Sequence, residues 1–72
     1  MNKMSVSEMH ESVGQKLKRL RGSYTQAQIA DYVGVTVSAW AMYERDERRP
    51  RDEVKARIAK FFGLTVESIF FA

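Results

Sequence analysis

Apolar side chains recur at helical rather than strand spacing, in five stretches separated by Gly, Thr or Pro. Met9, Val13, Leu17 and Leu20 lie three or four apart. They predict a first helix that starts near residue 8 and is ended by Gly22. Ser5 and Glu8 have capping-box spacing while Ser7 competes as cap, so the start stays open between them. Ile29 and Val33 share one face of a second helix, Trp40 and Tyr43 one face of a third over 37–45. Thr25 and Thr36 stand before these two runs, where a hydroxyl can accept from an unpaired backbone N–H. Tyr24 precedes the Thr25 cap and is expected to staple against Ile29 or a neighbour. Pro50 disfavours helix at Arg49, and Asp52 and Glu53 suit the positive end of a fourth helix beginning near Arg51. Val54, Ile58, Phe61 and Phe62 mark its buried face, with Ala59 helping it pack closely, and Gly63 stops it. Thr65 caps a short fifth helix, for which Leu64, Val66, Ile69 and Phe70 supply apolar contacts. The expectation is an all-α chain of five helices: a disordered tail over 1–7 and a single domain over 8–72.

Gly34 falls at the corner between the second and third helices, where positive φ carries no steric cost. Ala30 faces their crossing, where a larger side chain would hold them apart. Two short helices hinged in this way form a helix-turn-helix.

Composition narrows the possible functions. At 72 residues without cysteine, neither disulfides nor thiolate metal sites can compensate for a small core. Efficient helix packing, helped by self-association, is the remaining route. No window approaches the roughly 18 apolar residues of a membrane span and no apolar signal core opens the chain, which points to the cytoplasm. Twelve basic against nine acidic residues give +3, which permits nucleic-acid binding without arguing for it. His10 is alone and the carboxylates lie in helix starts and a charged loop. No catalytic residue, metal, cofactor or small-molecule ligand is therefore expected.

Gln26, Ala30, Gly34, Trp40 and Tyr43, in register, resemble the bipartite motif of the Cro/CI-type (Xre-like) helix-turn-helix repressors of bacteria and phages. VGQKLKRLR at 13–21 and RPRDEVKARIAKFFGLTVESIF at 49–70 are similar to that family's first helix and last two helices. The resemblance implies a five-helix lambda-repressor-like domain acting on double-stranded DNA at the nucleoid. It also implies a homodimer, in solution or only on DNA, on a near-palindromic operator with half-sites roughly 34–36 Å apart. Two departures matter. The connection Gly22-Ser23-Tyr24 is shorter than in many relatives, and Asp46 stands where the family usually has glycine. Either the loop is strained at Asp46 or the third helix runs a residue longer.

At about 100° per residue, Trp40, Tyr43 and Glu44 share the core side of the third helix. Val37, Ser38, Ala41 and Met42 share the other, with Arg45, and those four are the expected base readers in the major groove. Only Ser38 offers a hydrogen bond, so the face suits thymine methyls and groove shape and lacks bidentate pairs to guanine or adenine. The same apolar face would equally suit a helix-turn-helix turned to protein binding, such as an antirepressor. Gln26 resembles the family's backbone-contacting glutamine. Gln28, Thr36, Arg45, Arg48, Arg49 and Arg51 complete the expected phosphate set. For the arginines the rival reading is a solvated loop paired with Asp46, Glu47, Asp52 and Glu53. Glu44 requires a cationic partner because an unpaired buried charge is costly. The resemblance implies an Arg–Glu pair, with Arg21 preferred over Arg19. Phe71, at an exposed end beside apolar neighbours, is a candidate dimer contact.

Overall fold

The computed structural model describes residues 11–71. They form α1 (Val13–Arg21), α2 (Gln26–Val33), α3 (Val37–Glu44), α4 (Asp52–Phe62) and α5 (Val66–Phe70), with no strand among the described residues. The caps proposed at Ser5 and Ser7, the apolar contact of Met9 and the tail over 1–7 lie outside the described residues. Among the described residues no helix is long and apolar enough to cross a membrane.

Local chemistry sets the helix boundaries. Ser12 accepts from the N–H of Gln15 at 3.0 Å, and Gln15 returns the bond to the Ser12 N–H at 2.8 Å. This reciprocal box fixes α1 at Val13, five residues later than the expected start. Thr25 and Gln28 form the same box on α2, while Thr36 and Thr65 cap α3 and α5 by single bonds to Ala39 and Ser68. Gly34 adopts φ 74°, ψ 39° and ends α2, and the next N–H, of Val35, reaches back to the Ala30 carbonyl at 2.9 Å. This 6→1 bond belongs to a Schellman closure, which needs a left-handed residue at the corner. The guanidinium of Arg57, on α4, donates to the Val33 carbonyl at 2.8 Å and so covers one more orphan at the end of α2.

α1 packs on α3 and α5, α2 packs on α3 and α4, and α4 packs on α5. Leu17, Ile29, Val33, Trp40, Ile58 and Ile69 meet at the centre, all but inaccessible to solvent. Ala30 is buried beside them. Two assignments of the apolar pattern are corrected. Phe61 is not in the core; it is exposed and stacked on Tyr32 at 5.2 Å between centroids. Phe62 takes the inward direction, and Phe61, about 100° around the helix, turns to the Tyr24 and Tyr32 rings instead. Leu64 is likewise exposed, standing in the turn between α4 and α5.

The tightest joint of the fold is between α1 and α3. A Cβ on Gly14 would lie 2.4 Å from the backbone oxygen of Glu44 and 2.7 Å from that of Tyr43. Neither atom can swing aside as a side-chain tip could. Gly14→Ala gains up to about 1 kcal/mol of helix propensity. It must nevertheless prise α1 from α3, and overpacking of this kind costs about 1–3 kcal/mol. Against rigid backbone the upper end applies, so a net loss of about 2 kcal/mol is expected in urea unfolding. A variant as stable as the parent would show that the two helices do not touch there.

Candidate nucleic-acid interface

The surface of interest is built around α3. Its inward side carries Trp40, fully buried, with Ala39, Tyr43 and Glu44 buried beside it. On the outward side Val37 is 45% exposed, Ser38 is exposed, and Ala41 and Met42 are half-buried. No part of the described chain seals this side. α3 ends at Glu44, with Arg45 as its C-cap, one residue earlier than the expected span.

Glu44 is the hub that holds α3 to the rest of the motif. Arg21 donates through Nε to its Oε2 at 2.5 Å and through Nη2 to its Oε1 at 3.2 Å. Trp40 Nε1 donates to Oε2, and Gln26 Nε2 donates to Oε1 at 3.0 Å. Burial alone would raise the Glu44 pKa. The Arg21, Gln26 and Trp40 donors outweigh it, and the carboxyl sits below the usual carboxylate range. Arg21 rather than Arg19 makes this pair; Arg19 is engaged with Glu11 at 2.8 Å on the surface. The same guanidinium of Arg21 also donates to the Tyr24 carbonyl at 2.8 Å, tying the α1–α2 connection to the hub.

Two expected phosphate contacts have bonds inside the fold. Gln26 does not project freely, because one N–H of its amide is held by Glu44, which leaves the second for an outside partner. Gln28 Oε1 accepts from the Thr25 N–H at 2.8 Å, leaving its amide N–H groups for an outside partner. In both cases the intramolecular bond fixes the side chain at the N-terminus of α2, where backbone N–H groups favour an anion.

Asp46 resolves the open question of the α3–α4 loop. It takes φ 59°, the left-handed conformation, so the chain turns there without glycine. Its Oδ1 accepts from the Gly14 N–H at 2.8 Å. That N–H is an unpaired donor in the first turn of α1, and the bond offsets the cost of the backbone conformation. A single aspartate thus closes α3 and caps α1.

Beyond Asp46 the arginines divide. Arg45 pairs with Glu47 at 3.0 Å, both ends more than half exposed, and such a pair contributes little to stability. Arg48, Arg49 and Arg51 are exposed and make no ion pair among the described residues. All three line an open cleft of about 250 Å³ with Thr36, Ala39 and Tyr43 of α3. These guanidinium groups therefore meet α3 at Thr36 and along its inward edge, with the Glu53 carboxylate in the same cleft. Phe71 is 65% exposed, with Lys55 Nζ 4.8 Å above its ring.

In comparisons with known proteins, the model of a family described as helix-turn-helix matches residues 16–69. No curated protein matches the chain.

Proposed function

Because the chain belongs to the Cro/CI-type (Xre-like) helix-turn-helix family of DNA-binding regulators and has its lambda-repressor-like fold, we propose that it is a small repressor reading a specific double-stranded operator. One observation carries the reading: the α3 face of Val37, Ser38, Ala41 and Met42 is open, and Arg48, Arg49 and Arg51, which make no ion pair among the described residues, line a cleft with Thr36 at the start of the same helix. Val37, Ser38, Ala41 and Met42 read the major groove. Thr36 and the three arginines take one sugar–phosphate wall, joined by Arg45 once it exchanges Glu47 for phosphate. Gln28 and the second amide N–H and backbone N–H of Gln26 serve the other. The domain spans 8–72 and acts as a homodimer in the cytoplasm, with Phe71 at or near the contact between copies. An antirepressor that only binds protein could use the same apolar face. It has no use for three unpaired arginines beside it, which favours DNA.

Selection from random duplexes, repeated across a salt series, tests the proposal. A near-palindrome should emerge, over weak binding to all duplexes at low salt. Absence of both would sink it. Replacing Arg49 and Arg51 together by alanine should weaken every duplex alike. It should also flatten the slope of log K against log salt by about 1.8, since each phosphate no longer neutralised removes roughly 0.9. An unchanged slope removes the loop from the interface.

A further inference from the structure

On the α2–α4 side of the domain, three aromatic rings lie together in solvent. Tyr24 is 41% exposed, Tyr32 54% and Phe61 36%. Tyr32 and Phe61 stack at 5.2 Å, and Tyr24 stands edge-on to both at 5.7 Å. Phe62, packed against the core, abuts Phe61 at 5.1 Å and anchors the cluster from beneath. Water-facing aromatic groups of this size are costly to display, and contiguous apolar patches mark interaction sites. The proposed base-reading residues are on α3, and none of them touches these rings. The arrangement is also pre-ordered, so a partner would not have to freeze the side chains on arrival.

Charge identifies the occupant. Tyr32 and Phe61 share with Arg57 and Lys60 an open hollow of about 340 Å³, and no carboxylate lines it. Arg57 is held by the Val33 carbonyl, whereas the Lys60 side chain has no hydrogen bond or ion pair among the described residues. A second copy seated symmetrically would bring Lys60 and Arg57 against their own equivalents, which like-charge repulsion opposes. Bases stacking on the cluster would find one face of Phe61 already covered by Tyr32. We infer that this surface docks an acidic segment of another protein, an aromatic or leucine side chain resting on Tyr32 and Phe61 and a carboxylate meeting Lys60. The family member would then carry two separate surfaces, one for DNA and one for a protein that the DNA-bound chain recruits or answers to.

The probe is a displayed library of short random peptides, selected on the full chain and counter-selected on the Tyr32→Ser/Phe61→Ser double variant. Enriched peptides should combine an aromatic or leucine anchor with neighbouring Asp or Glu. Their affinity should fall by about tenfold or more in the double variant, the scale of a hot-spot loss, and fall further as salt is raised. Lys60→Glu should reverse the charge preference toward Lys- and Arg-containing peptides. Lys60 is exposed and makes no side-chain bond in the fold, so this variant decides the matter even if the double variant folds poorly. Basic or charge-free peptides enriched on the unaltered chain would overturn the inference. So would sedimentation in which the parent dimerises and the double variant does not, since the surface would then serve a second copy. Loss of duplex binding in the Lys60→Glu variant would overturn it too, by assigning the patch to DNA. Duplex affinity unchanged in both variants leaves the repressor reading standing whatever the peptides show.

Discussion

Glu44→Ala should cost the fold about 3 kcal/mol. Removing one partner of a buried pair typically costs about 3–5 kcal/mol. Arg21 keeps 17% of its side chain in solvent, which places the loss toward the lower end. The indole N–H of Trp40 is stranded at the same time, in a fully buried ring. A chain of 72 residues has a total stability of roughly 4–11 kcal/mol, so this one change removes a large part of it. The melting temperature should fall by roughly 12–24 °C, at about 4–8 °C per kcal/mol. Trp40 is the sole tryptophan, and its fluorescence reports the transition directly. Arg21→Ala should cost a similar amount, because the Glu44 carboxylate, 4% exposed, is left without its cation although Gln26 and Trp40 still donate to it. Parent-like stability in either variant would show that the Arg21–Glu44 pair does not hold α3 to α1.

The acid limb of the same measurement carries a sign. The folded Glu44 carboxyl lies below its unfolded value, burial being outweighed by its Arg21, Gln26 and Trp40 donors. Its contribution is therefore fully present above the ordinary carboxylate range and is lost as pH falls through the depressed folded value. Glu11 and Glu47 are also depressed by their arginine partners, but both are surface groups. Comparison of the parent with Glu44→Gln isolates the buried one. The parent should lose stability more steeply below that range than the variant does.

Ser38→Glu should have opposite effects on fold and binding. Ser38 is exposed in the first turn of α3, where a carboxylate is favoured by the helix dipole by about 0.3–1 kcal/mol. Stability should hold or rise slightly. In a groove walled by phosphates the same charge is opposed on both sides, and like-charge juxtaposition costs several kcal/mol. Duplex affinity should drop by about 100-fold or more. Ser38→Lys should bind all duplexes at least as tightly as the parent while discriminating less among them. If Ser38→Glu binds as the parent does, the N-terminal half of α3 is not in the groove.

Most of what the sequence made legible is local. Thr25, Thr36 and Thr65 cap helices where their spacing to the next apolar run says they should, and Gly34 turns the corner. The two sides of α3 separate because a helix of eight residues can bury only one stripe. The Ser12–Gln15 box was also written locally, as serine followed three residues later by glutamine, but earlier serines competed for the role. What escaped the sequence depends on residues distant in the chain. Asp46 looks like a poor substitute for glycine until the Gly14 N–H, 32 positions away, is seen to need an acceptor. Gln26 looks free for phosphate until Glu44 is known to hold it. Arg57 reads as a surface charge, and only the approach of α4 to the end of α2 turns it into a cap. Phe61 obeyed the helical repeat yet faced outward, because Tyr24 and Tyr32 offered it a surface partner as Phe62 filled the core.

Whether the outer surface of α3 enters DNA is decided by recording amide shifts of the labelled chain as the selected duplex is added. Large changes should appear at Val37, Ser38, Ala41 and Met42 and at Arg48, Arg49 and Arg51, with Tyr32 and Phe61 unmoved. A duplex that shifts the α2–α4 aromatic side and leaves Val37 to Met42 silent would contradict the account.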